Sequence, residues 1–182
     1  MRVFVLAAVT CLVACTGHTP APSTGTPVVE RVRMGGTQTG LRLSSTTVAR
    51  ADTVWTPIDR VWKAMPAVFA VLEVPIERFD AESNTIGNSA LKLYRRLGKT
   101  PLTRYLDCGT TQIGPNADSY EVSLTVLTKL SRPPADTANT TVVTTVEAMA
   151  RPIQFRGDFV RCSSKGALEA RVIEILKVEL AP

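Results

Sequence analysis

Few side chains in this 182-residue chain can do chemistry beyond solvation: four cysteines and a single histidine, His18. A nucleophilic triad, or a general base working near neutrality, needs an imidazole in the folded body. His18 sits instead in a Pro- and Gly-rich stretch close to the start. A zinc centre needs about four ligands, which two or three scattered cysteines do not supply. Asp107 and Asp118 are the carboxylates one would pair for acid/base work, but their spacing does not demand it, and a turn or cap role suits them better. Gly114-Pro115 reads as a turn, and neither a phosphate loop nor a dinucleotide fingerprint is present. These residues point away from an enzyme, and no cofactor or metal is expected.

Cys15 is a different matter. Arg2, an apolar run from Val3 to Val13 and a small residue, Ala14, have the layout of a signal peptide. About eleven residues rising 1.5 Å each cover roughly half of a ~30 Å bilayer core, so the run predicts no transmembrane anchor. Leu12-Val13-Ala14-Cys15 resembles the lipobox of bacterial lipoproteins. That resemblance implies cleavage before Cys15, diacylglycerol on its thiol and an acyl chain on the new amino group. An ordinary secretion signal cut after Ala14 is the alternative. Residue 16 is threonine rather than the aspartate associated with inner-membrane retention, which implies anchoring at the periplasmic face of the outer membrane. The membrane is then the first partner, through lipid, and nucleic acid is not expected.

Export would leave Cys108 and Cys162 in an oxidising compartment, where two cysteines permit one intramolecular disulfide. A free reactive thiol is the alternative. The net charge of +5 tolerates anionic neighbours without specifying one. Lys92, Arg95, Arg96, Lys99 and Arg104 concentrate that charge, interleaved with Leu93, Tyr94 and Leu97. They suit contact with an anionic lipid, glycan or acidic partner. They suit better a solvated sheet edge, where cations discourage aggregation.

The elements that must position these residues follow from composition and period. Residues 1–14 form the signal, 15–44 a lipidated cysteine and flexible tether, and 45–182 a single α+β domain. Thr16 to Pro27 is too polar and too rich in Pro and Gly to bury a core. Ser45–Trp55 reads as a strand. Thr56 as cap and Pro57 as first residue start a helix running to Leu72, with Ile58, Val61, Trp62, Met65, Phe69 and Leu72 on its buried face and a kink or break at Pro66. Val74–Phe79 and Thr85–Leu97 read as a strand pair around Asp80–Asn84, followed by one helical turn over Pro101–Tyr105. Asp107-Cys108-Gly109 sits at the start of another strand. Tyr120, Val122, Leu124, Val126 and Leu130 share one phase of Ser119–Ser131, and Val142, Val146, Ala148 and Ala150 share one face of Thr140–Arg151. Cys162-Ser163-Ser164 leads into a last helix with a serine cap. Leu168, Val172, Ile175 and Leu176 form its apolar stripe, flanked by Glu169, Arg171, Glu174 and Lys177. The disulfide would fasten the base of that helix to the sheet.

Strand, long helix, antiparallel strands and terminal helix predict an α+β fold, an antiparallel sheet packed against two helices. Over roughly Thr46–Leu180 this order resembles the helix-grip arrangement of BamC-type outer-membrane lipoproteins. The segments Val61-Trp62, Thr85–Asn88, Leu106–Gly109 and Cys162–Glu169 are similar to those of small uncharacterised envelope lipoproteins. The resemblance implies a location and a fold, and carries no catalytic residue. Two functions fit. One is a non-enzymatic, membrane-anchored binding or assembly module with another envelope protein as candidate partner. The other is a carrier holding a small apolar ligand or lipid between helix and sheet, with Met65, Phe69, Tyr120 and Leu124 as candidate lining; the same four residues also suit an ordinary core.

Overall fold

A computed structural model describes residues 28–31, 42–45, 49–133, 136, 138–153 and 157–181. Cys15, the lipobox and the rest of the expected signal lie outside the described residues. In chain order the elements are β1 (Val28–Arg31), β2 (Arg42–Ser45), β3 (Ala49–Val54), α1 (Ile58–Val71), β4 (Arg78–Asp80), β5 (Thr85–Tyr94), β6 (Arg96–Leu97) and β7 (Thr100–Pro101). A 3-10 turn (Leu102–Arg104), β8 (Leu106–Asp107), β9 (Thr110–Thr111), β10 (Gly114–Pro115) and α2 (Asn116–Ser119) follow. The chain closes with β11 (Glu121–Ser131), β12 (Thr140–Arg151), β13 (Val160–Ser164) and α3 (Ala167–Glu179). The fold is mixed α+β and mostly strand, with three helices among the described residues.

Two long strands form its axis. β11 and β12 pair antiparallel from Glu121↔Arg151 to Ser131↔Thr141. Directly opposed residues share a face of the sheet, so one phase of both strands is buried: Val122, Leu124, Val126 and Leu130 against Val142, Val146, Ala148 and Ala150. These are the positions the alternation picks out. β5 flanks β11, β4 flanks β5, and β13 followed by β8 continue beyond β12. The far edge of β12 is divided, with Thr140–Thr145 taken by β3 and Ala148–Ala150 by β13. Within the span expected as tether, β1 and β2 pair antiparallel with each other. Their Val28, Val29 and Leu43 have the strand propensity that the Pro- and Gly-rich residues before them lack.

The α1 and α3 helices bury one face each into the same core. From α1 come Ile58, Val61, Met65, Val68 and Phe69. From α3 come Leu168, Val172, Ile173, Ile175 and Leu176. Of the expected kink or break at Pro66, the break does not occur: α1 continues through it to Val71. Proline removes one main-chain bond, and the full burial of Val61, Met65, Val68 and Phe69 around it outweighs that loss. The N-cap is Pro57 and no side chain caps it; the Thr56 carbonyl instead accepts from Thr140 Oγ1 at 2.7 Å.

Three further segments differ from the sequence reading. Of the expected Val74–Phe79 strand only Arg78 and Phe79 are in β4, which ends one residue later at Asp80; upstream, Pro75 has no N–H to give and its carbonyl accepts from Asn88 Nδ2 at 2.8 Å. β5 stops at Tyr94 because Arg95 takes a positive φ of 66° and turns the chain into the β6–β7 hairpin. Cys162, Ser163 and Ser164 belong to strand β13 and not to a helix start; α3 begins at Ala167 behind Gly166, whose φ is 74°.

Gly87 shows how closely the strands approach. A Cβ there would lie 2.0 Å from the Val126 carbonyl oxygen, so no other residue fits. Opposite it in phase, the hydroxyls of Thr128 and Thr144 face each other across β11 and β12 at 3.1 Å, in full burial. Each satisfies the other, and removing one leaves the other unpaired. Thr128→Val or Thr144→Val alone is expected to cost about 1–3 kcal/mol, and the double change to be near neutral. Urea unfolding of the three variants reads this directly; simple additivity of the two single losses would sink the argument.

Candidate functional site

The chemistry-bearing groups of the body gather where β13 enters α3. Cys108 and Cys162, 54 residues apart, are joined in a disulfide. Both are almost completely buried. The bond lies beside the short ladder Ser163↔Asp107 and Ser164↔Leu106, so it ties two neighbouring strands together ahead of α3. It does not fasten the helix base directly, because the expected helix start is a strand. The surrounding main chain is held by side chains. Asp107 Oδ1 accepts from the Gly109 amide at 3.0 Å, and Asn116 Nδ2 donates to the Cys108 carbonyl at 2.9 Å. On the other side, the Lys165 amide donates to the Tyr105 carbonyl at 2.8 Å, and Lys165 Nζ donates to the Thr103 carbonyl at 2.7 Å. Asp107 thus ends β8 with its carboxylate holding the turn that follows, and the Asp118 carbonyl accepts from Arg95 Nε at 3.2 Å.

Glu169 is the residue that helical periodicity misplaces. Expected as a polar flank of α3, it is fully buried. Ser164 Oγ donates to Glu169 Oε1 at 2.6 Å and accepts from the Gly166 amide at 3.1 Å. A hydroxyl two residues before the N-cap therefore holds both the main chain leading into α3 and the carboxylate, while no side chain caps the helix itself. Among the described residues, Glu169 Oε2 has no hydrogen-bond partner. Burial pushes the Glu169 carboxyl above the usual carboxylate range, opposed by the Ser164 hydroxyl and the charge of Arg50.

The cationic cluster stays at the surface. Lys92 lies on β5, Arg95 follows it, Arg96 starts β6, Lys99 lies in the β6–β7 turn and Arg104 ends the 3-10 turn; all five are exposed. The Arg95 guanidinium lies 5.0 Å from the centre of the Tyr94 ring. Register adds two cations that linear reading misses. Lys92 lies opposite Ser123, Ser123 opposite Met149 and Met149 opposite Arg161, while Arg151 lies opposite Glu121 beside Tyr94. Arg151 also covers the exposed ring of Phe159 at 5.4 Å. The face of the sheet opposite α1 and α3 thus carries cations and aromatics at one end. Met65, Phe69, Tyr120 and Leu124, the candidate ligand lining, are all buried in the contiguous hydrophobic core. Trp62 is half-buried and stacks on Phe79 with ring centres 4.7 Å apart.

No protein-family model matches the chain, and no curated protein matches it either. Among the described residues no helix is long and apolar enough to cross a membrane.

Two outcomes test this site. The paired Cys108→Ser and Cys162→Ser chain should lose about 4 kcal/mol, the loop-closure value for 54 residues, in denaturant unfolding. An unchanged midpoint would mean that the reduced chain is already held by its packing. Glu169 has a native pKa above its unfolded one, so its contribution is greatest below the ordinary carboxylate range and is lost as pH rises through the raised value. Between pH 4 and pH 7 the wild type should therefore lose stability relative to Glu169→Gln. A constant difference between the two across that window would contradict the burial argument.

Proposed function

We propose that the chain is a lipid-anchored lipoprotein of the bacterial envelope whose folded body is a non-enzymatic binding or assembly module. The observation that carries this reading is the Cys108–Cys162 disulfide. A buried structural disulfide is expected of an oxidising compartment, and the Leu12–Cys15 motif independently addresses the chain there. Cys15 would hold the lipid, at the periplasmic face of the outer membrane. The helix-grip comparison supports the same reading, since α1 and α3 bury their apolar faces in one core with the sheet, and Lys129, Glu147, Met149 and Arg151 are exposed on the opposite face. The exposed Lys92, Arg95, Arg96, Lys99 and Arg104 would favour an anionic component of that environment.

Fractionation of cells producing the Cys15→Ala chain tests the anchor. The variant is expected in the soluble fraction, with its Cys108–Cys162 bond intact and no acyl mass. Retention in membranes with an acyl mass would place the lipid elsewhere and overturn the reading.

A further inference from the structure

Among the described residues strand β3 pairs only with β12, which leaves its other edge without a strand partner among them. Ala49, Arg50, Ala51 and Thr53 are exposed along it. Such an edge, six residues long, is a template for another strand, and charges on it act as a guard against arbitrary pairing. Here the guard has a definite pattern. Arg50 and Asp52 lie opposite the buried Thr144 and Val142, so both side chains sit on the helix-bearing face. Within the chain they form an ion pair, Arg50 Nε to Asp52 Oδ2 at 2.8 Å, with side chains 46% and 23% exposed. Ala49, Ala51 and Thr53 take the opposite face and offer no bulk against an approaching strand.

We infer that β3 is a self-complementary docking edge, and that its occupant is β3 of a second copy of this chain. The sequence of the strand, Ala-Arg-Ala-Asp-Thr-Val, matches itself when run antiparallel about Ala51. A two-fold axis through Ala51 places Arg50 of each copy opposite Asp52 of the other, Ala49 opposite Thr53, and Ala51 opposite itself. Opposed residues share a face in an antiparallel ladder, so two opposite-charge pairs form side by side. Sliding the register by two residues in either direction brings Arg50 against Arg50 or Asp52 against Asp52, which repels. A foreign strand without the same charge order leaves Arg50 and Asp52 facing unmatched groups. The charges that deter other strands therefore select this one, in one register.

Pairing about this axis is isologous and closes at two copies. It joins the two sheets edge to edge and sets both α3 helices on one side of the joined sheet. The faces opposite the helices, with their cationic ends, then lie together on the other side. This arrangement does not depend on a lipid anchor.

The test is light scattering of the purified full-length chain in mild detergent over a concentration series up to about 1 mM, the weak limit of a specific contact. Wild type should double its mass with concentration. Asp52→Arg and Arg50→Asp should each weaken association by roughly tenfold or more, and the charge-swapped Arg50→Asp/Asp52→Arg chain should recover it. A second measurement covers the case in which a single reversal unfolds the chain. Ala51→Cys, which meets itself on the axis, should form a disulfide-linked dimer much faster than Thr110→Cys at an exposed site away from β3. A wild type monomeric throughout, a reversal that dimerises like wild type, a swap that recovers nothing, or equal cross-linking at 51 and 110 would each overturn the proposal.

Discussion

The alternation of β12 constrains everything around it. Thr140, Val142, Thr144, Val146, Ala148 and Ala150 must all go under the helices, because a slip of one residue would send the whole set to solvent. β11 reads that register along its full length. On the other side two strands share it, β3 over the first half and β13 over the second. The ends of the chain's helices are tied to the same strand, since β3 leads to α1 and β13 to α3. Where β13 pairs, the buried Ala148 lies opposite the disulfide-bonded Cys162. At the other end Thr140 reaches the Thr56 carbonyl just before α1.

Polar groups within this core are placed in pairs. The hydroxyls of Thr128 and Thr144 meet across two strands, and Asn88 holds the Pro75 carbonyl upstream of β4. Asn116 Oδ1 and Glu169 depart from that rule: among the described residues the amide oxygen has no partner, and Glu169 has one oxygen held by Ser164 and the other unpartnered. Glu169 sits beside the disulfide-bearing strand, so a covalent tie and a costly buried carboxyl share the junction between β13 and α3. The tie limits how far that junction can open in response to the carboxyl's charge, because Cys108 and Cys162 stay in contact whichever form Glu169 takes.

Surface charge follows a different logic. The cations of residues 92–104 are contiguous in sequence, whereas Arg151 and Arg161 reach the same face only through the ladder. Arg50 and Asp52 form a third arrangement, two residues apart on β3, where pairing within the chain and pairing between chains use the same side chains. Each arrangement is a property of which strand lies next to which.

By itself the sequence determined the local elements whose pattern repeats. The two-residue period of β11 and β12, the apolar faces of α1 and α3, and the two cysteines of the disulfide are all legible, because each is set by side chains a few residues apart or by counting. Asp107 as the residue whose carboxylate holds a turn is legible for the same reason. The tertiary structure alone decided the rest. Glu169 reads as a solvated flank, since its burial depends on Ser164 and on β3 passing nearby, not on its own helix. β13 reads as a helix approach, since the ladder partners of its serines are Asp107 and Leu106, more than fifty residues earlier. Pro66 reads as a kink or a break, and the packing around it carries the helix on to Val71. Local period records what a residue prefers; which preference prevails depends on energies supplied by residues distant in the chain.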